Sequence, residues 1–244
     1  MVPDLFIVGA TKCATSSIHY QLGQSGWIGT SMPKEPRFLE RGLSIETAKE
    51  GYNKCFGGDA FLVEANPNHF VIGYAPEKIK LINPDAKILI VIREPVSRTI
   101  SHINYFRNMR PGREATKISM LADFDLDKFD CEADYVPYIC EEWGNYKPMY
   151  IETSCYIHYI PRFARLFDTR IVIFEDYIEN PQGEIDQIMD WIDYPRFELK
   201  DTRIRNQGEH KWQPSESSMR GFKELFKPYN EKLFTRLGRE LWTY

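Results

Sequence analysis

Across 244 residues the sequence has no apolar run approaching the roughly 20 residues that span a bilayer, no CxxC pair, no internal repeat and no low-complexity linker. The first absence excludes a protein built on membrane-crossing helices. The five cysteines (13, 55, 131, 140 and 155) are scattered, with no histidine cluster at zinc spacing, so reduced and mostly buried thiols are expected and no metal is. A net charge of −4 lacks the basic excess that nucleic-acid binding leaves, and no nucleic-acid partner is expected. The first buried strand starts at Leu5, which leaves no room for a leader peptide; a cytoplasmic protein is the expectation. What remains, 43% apolar and 14% aromatic residues, describes a folded chain of a length that fits one domain over 1–244.

Apolar runs alternate with helical patterns. Strands are expected at 5–8, 61–65, 87–92 and 170–174, with helices at 16–24, 45–54, 75–82, 96–107 and 156–167 and another starting at Pro181. Continuous runs such as ILIVI suit parallel strands buried on both faces. The expected fold is therefore α/β, a P-loop-like parallel sheet flanked by helices on both faces. Residues 114–153 break the rhythm with ten acids against three lysines, and read as an acidic insertion over the active-site side, a candidate lid. Near the C-terminus, Pro228 and Asn230 are expected to divide two helices.

The segment LFIVGATKCATSSIHY (5–20) runs from a buried strand through a small-residue turn and a lysine to the hydroxyl residues that open a helix. Backbone N–H groups at a helix N-terminus make an anion cradle, so a phosphorylated ligand is expected on Lys12, Cys13, Ala14, Thr15, Ser16 and Ser17. The loop differs from GxxxxGK[ST] because its lysine sits mid-loop, which disfavours metal-assisted chemistry on a γ-phosphate. In open α/β sheets the loops after neighbouring strands converge on the ligand. The second such loop, REPVSRTIS, offers Arg93 and, two helical turns on, Ser101. Residues 93–113 carry five arginines against one acid, a patch suited to an anion or a solvated helix face.

GATKCATSSIHYQL, MPKEPRFLE, VEANPNHF, KILIVIREPVSRTISHINYF and FKPYNEKLFTRLGRELW, in that order, resemble the sulfotransferases that use 3′-phosphoadenosine 5′-phosphosulfate (PAPS), and most of all their bacterial and glycan branch. The resemblance implies that Lys12 to Ser17 form the 5′-phosphosulfate loop, with Thr15 on the phosphate and Lys12 near the bridging oxygen. It implies that Arg93 and Ser101 hold the 3′-phosphate, and that Glu35 in KEP takes the proton from the acceptor hydroxyl. The loop NQGEHKWQP (206–214) resembles the one that closes over the nucleotide, and assigns Gly208, His210 and Lys211 to it. Trp212 would cover the adenine or simply pack.

Two departures concern the acceptor. Ala65 in EANP stands where that branch often has lysine, and Arg37 stands where it has histidine. The implied partner is a hydroxyl-bearing saccharide or small metabolite. A highly sulfated polymer is disfavoured by the net −7 of residues 114–153. His69 and His102 are candidates to face the acceptor, while His19 and His158 read as packing groups. A general base on the attacking side and a cation on the leaving side suit in-line sulfuryl transfer. The alternatives are a P-loop kinase, with IVIFED (171–176) as its metal-binding strand end, and a catalytically silent nucleotide-binding protein.

Overall fold

Five short strands dominated by Ile, Leu, Val and Phe pair side by side, all parallel, in the order β2-β3-β1-β4-β5. They are β1 (Leu5–Gly9), β2 (Ile28–Thr30), β3 (Phe61–Ala65), β4 (Lys87–Ile92) and β5 (Thr169–Ile173). This computed structural model describes residues 1–58, 61–109, 150–205 and 213–243. The acidic segment 114–149, together with Gly208, His210, Lys211 and Trp212, lies outside the described residues.

β1 takes the centre because every one of its five residues is apolar or glycine and all are buried. Its neighbours β3 and β4 are almost as apolar, as strands covered on both faces must be. β2 escapes the sequence pattern. Its three residues, IGT, are too few to show a periodicity and include a glycine.

The chain forms two compact units, one of residues 1–93 with 159–206 and the other of 94–158 with 207–244. The first contains the sheet, flanked by α1 (Thr15–Leu22), α2 (Ile45–Asn53), α3 (Ala75–Ile82), α5 (Ile160–Ala164), α6 (Phe174–Glu179) and α7 (Pro181–Trp191). The second contains α4 (Pro95–Met109) and α8 (Glu216–Leu237), which pack on each other.

Two sequence expectations are corrected. The helix anticipated at 156–167 is a 3₁₀ turn, Tyr156–His158, followed by the separate short α5. Pro161 explains the break, since it has no N–H to bond the carbonyl of Ile157 four residues back and its ring clashes there, while it suits a first turn. The two helices anticipated around Pro228 are the single α8, with Pro228 inside it. An interior proline costs about 3 kcal/mol. Phe222, Leu225 and Phe226 before it pack in a core with Val96, Ile100, Ile151 and Cys155, and Leu233 beyond it is also buried, which offsets the cost.

Arg98 is fully buried in the second unit. Its Nε donates to Ser154 Oγ at 2.5 Å, its Nη2 donates to the Tyr150 carbonyl, and its Nη1 meets His102 Nδ1 at 3.1 Å. It ties α4 to residues 150–154, so one arginine of the basic patch is a structural fastener. Glu94, the one acid of that patch, caps α4 by accepting from the amides of Val96 and Ser97 at 2.9 and 2.7 Å.

Candidate active site

The loop before α1 begins where β1 runs out. Gly9 is required there because a Cβ would lie 2.5 Å from Phe70 Cβ, closer than two carbons approach. The Ala10 amide still bonds to the Val91 carbonyl at 2.7 Å, which holds the loop's first residue to β4. Lys12 and Ala14 both lie in the left-handed region, at φ 71° and 62°. For residues with a Cβ that conformation costs on the order of 1 kcal/mol each, and it bends the chain into a nest of backbone N–H groups.

α1 then starts without a side-chain cap. α3, α5 and α6 likewise lack one, while α2, α7 and α8 are capped by Ser44, Asn180 and Ser215, and α4 by Glu94. The positive end of α1 thus opens on the nest, an arrangement that receives an anion.

Two cations serve this end of the sheet. Arg93 follows β4, donates from Nη1 to the Lys12 carbonyl at 3.5 Å and lies over the Phe174 ring at 4.5 Å. Burial first, and the Arg93 charge second, pull the Lys12 ammonium below the usual lysine range. An anion between them would relieve that repulsion. Thr15 is buried in the first turn of α1, and Ser16 is half-buried beside it. Ser17 points inward, where its Oγ accepts from the Arg205 amide at 2.8 Å. Arg205 is also stacked on Tyr20 of α1, 3.3 Å from the ring centroid.

Ser101 is buried on α4, in the second unit. His102 beside it is engaged by Arg98 and meets the Tyr150 ring edge-on at 5.0 Å, a packing role. His158 packs edge-on against Tyr229 at 5.4 Å.

Carboxylates gather beyond β2 and β3. Ser31, directly after β2, donates to the Lys34 carbonyl at 2.9 Å and lies 3.4 Å from His19 Nε2, which fastens the KEP turn to α1. Burial, and the charge of Lys34 after it, push His19 down to about 4, so that it is a neutral packing group. Glu35 is held between Lys34 Nζ at 2.9 Å and Arg37 Nη2 at 3.5 Å. Arg37, at φ 60°, turns back on the carboxylate. Glu40 accepts from Asn66 Nδ2 at 2.6 Å and Asn68 Nδ2 at 3.2 Å, which links this loop to the turn after β3.

Behind these residues stands a group that sequence reasoning missed. Glu64 in β3 is fully buried, accepts from Tyr52 OH at 3.1 Å and lies 3.8 Å from His69 Nδ1. Burial pushes its carboxyl up to about 8 and drives the His69 imidazole down to about 3. An acid inside the otherwise apolar strand FLVEA was the available signal. Among the described residues no group of three or more His, Cys, Asp or Glu is arranged to hold a metal ion, and no helix is long and apolar enough to cross a membrane.

A parallel sheet with an anion nest after its central strand defines a P-loop-like α/β protein. The chain belongs to the sulfotransferase domain family, whose model matches residues 3–211. Human heparan sulfate glucosamine 3-O-sulfotransferase 6 is 22% identical over 267 residues, covering 98% of this chain and 72% of that protein. Human heparan sulfate glucosamine 3-O-sulfotransferase 3B1 is 23% identical over 201 residues, covering 80% of this chain and 47% of that protein, so the chain spans less than half of the latter's length. The crystal structure of a sulfotransferase from Alicyclobacillus acidocaldarius superposes with a TM-score of 0.75 at 20% identity, covering 99% of this chain and 98% of that one.

Proposed function

We propose that this enzyme transfers the sulfuryl group of PAPS to a hydroxyl of a saccharide or small metabolite. The observation that carries the reading is a division along one edge of the sheet. Lys12, Arg93 and the uncapped α1 gather beyond β1 and β4, while Glu35 is held beyond β2 and β3. The donor set fits the phosphosulfate, with the backbone amides of residues 12–16 and Thr15 around the 5′-phosphate and Lys12 beside the oxygen that links phosphorus to sulfur. Bound there, PAPS supplies an activated sulfuryl group. Arg93 and Ser101 are assigned to the 3′-phosphate, and Gly208, His210 and Lys211 to the loop covering the nucleotide. Cys13 and Ala14 contribute backbone, while Ser17 secures the loop from inside.

Glu35 takes the proton from the acceptor hydroxyl as the new S–O bond forms, and Lys12 stabilises the charge left on the phosphate oxygen as the old S–O bond breaks. The product nucleotide is adenosine 3′,5′-bisphosphate. A saccharide acceptor gains support from the names of the two human relatives, both heparan sulfate glucosamine enzymes. The net −7 of residues 114–153 argues for an acceptor less anionic than heparan sulfate.

Calorimetric titration with adenosine 3′,5′-bisphosphate, without metal, tests the donor assignment. Binding that weakens in Lys12→Ala and Arg93→Ala is expected. No bisphosphate binding, with ATP bound only in the presence of magnesium, would overturn the reading.

A further inference from the structure

Sulfuryl transfer as described makes no use of Glu64 and His69. Both are wholly buried, and Glu64 Oε1 and both ring nitrogens of His69 have no hydrogen-bond partner among the described residues. The other Glu64 oxygen accepts from Tyr52 OH at 3.1 Å, with His69 Nδ1 3.8 Å away. A carboxylate anion so placed would be poorly satisfied, because burying a charge demands hydrogen bonds or a counter-ion. His69, held neutral by its burial, supplies no charge.

A short mechanical route connects this pocket with the KEP turn. The Ser31 amide donates to the Val63 carbonyl at 3.0 Å, one residue before Glu64, and Ser31 Oγ donates to the Lys34 carbonyl at 2.9 Å. The backbone that presents Lys34 is thereby pinned beside β3. Lys34 is also the nearer of the two cations on Glu35, at 2.9 Å against 3.5 Å for Arg37. The groups whose charges reach Glu64 are Tyr52 of α2, Cys55 after it, and Lys34, Glu35 and Glu40 of the loop after β2, with His69 of the turn after β3 alongside; Lys34 is the one basic side chain among these six besides the neutral His69.

We propose that Glu64 is a positioning residue for Glu35, a rival carboxylate whose charge decides how firmly Lys34 holds the acceptor-side base. This rests on the reading of Glu35 as that base. While Glu64 keeps its proton, Lys34 answers Glu35 alone, and the carboxylate stays fixed between Lys34 and Arg37. When Glu64 releases its proton to solvent, a second anion attracts the same ammonium, and Glu35 loses part of its closer restraint.

The test follows the Glu35 side-chain carboxyl signal by carbon NMR in the full chain labelled at glutamate, assigned with Glu35→Gln and titrated from pH 5 to 9.5. The wild-type signal is expected to show a step near pH 8, where Glu64 ionises. The step should vanish in Glu64→Gln and move to higher pH in Tyr52→Phe, because the Tyr52 hydrogen bond favours the anion. A Glu35 signal without that step, or a step that survives Glu64→Gln, overturns the proposal. Should Glu64→Gln fail to fold, Tyr52→Phe decides alone: an unmoved step is the negative result. Failure of the sulfuryl-transfer reading registers separately, as absent binding of adenosine 3′,5′-bisphosphate to the wild-type chain.

Discussion

The strand ends on the two sides of the sheet's middle follow opposite electrostatic rules. Beyond β1 and β4, the charge of Arg93 acts against that of Lys12, and two residues with side chains accept left-handed backbone. Beyond β2 and β3, Glu35 is answered by Lys34 and Arg37, Glu40 by two asparagine amides, and Glu64 by a tyrosine hydroxyl. The first region gathers positive charge around an open backbone nest, whereas the second pairs its charges internally. On the proposed reading, a donor that brings its own anion would meet the first, and an acceptor that needs only a proton removed the second.

The sharpest way to break the comparison is to remove one function from each side. Glu35→Gln is expected to lower turnover by a factor on the order of 10² to 10⁴ while bisphosphate binding stays unchanged, as read by steady-state kinetics beside calorimetry. Bisphosphate binding lost in that variant would make Glu35 part of the donor side. Arg93→Ala should have the complementary phenotype, a bisphosphate affinity reduced roughly 10- to 100-fold, the size of a charge-assisted contact worth about 1.5–3 kcal/mol.

Gly9→Ala tests whether the donor side depends on backbone shape. The added carbon meets Phe70, and a loss of about 1–3 kcal/mol in denaturant unfolding is expected, together with weaker bisphosphate binding. Unchanged stability would mean that the loop tolerates a shift.

The last prediction is a pH dependence carried by buried groups. His19 and His69 have folded pKa values lowered to about 4 and about 3, so their contribution to stability is present above their ordinary value of 6.5 and is lost as pH falls through that window. Glu64 runs the other way. Raised to about 8, it contributes stability that is full below 4.5 and is lost as pH rises through 8. Thermal unfolding from pH 5 to 8 should therefore decline more in wild type than in Glu64→Gln, and equal slopes would remove Glu64 from the account.

The donor side was legible in the sequence because it is built from consecutive residues. A strand, a glycine, a lysine and helix-opening hydroxyls leave a local signature, and LFIVGATKCATSS shows all four. The four longer strands were legible for the same reason, their apolar runs being continuous. Of the groups gathered beyond β2 and β3, the sequence singled out Glu35 and His69. Tyr52, Glu64 and His69 come from a helix, a strand and a turn, and only the folded sheet brings them together. Ser17 belongs to the readable loop, yet its partner Arg205 is 188 residues away, so the direction of its hydroxyl could not be read. Within the arginine patch Arg98 is an exception, because charge along a sequence does not reveal which guanidinium the core will enclose.

Because every strand runs the same way, each delivers its following loop to the same edge, and the strands themselves are fixed by apolar pairing. Loops of unlike charge thus share one edge without sharing a strand: the turn that holds Glu35 follows β2, and the one that holds Lys12 follows β1. The core acts as a chassis to which each loop is bolted at its own strand end.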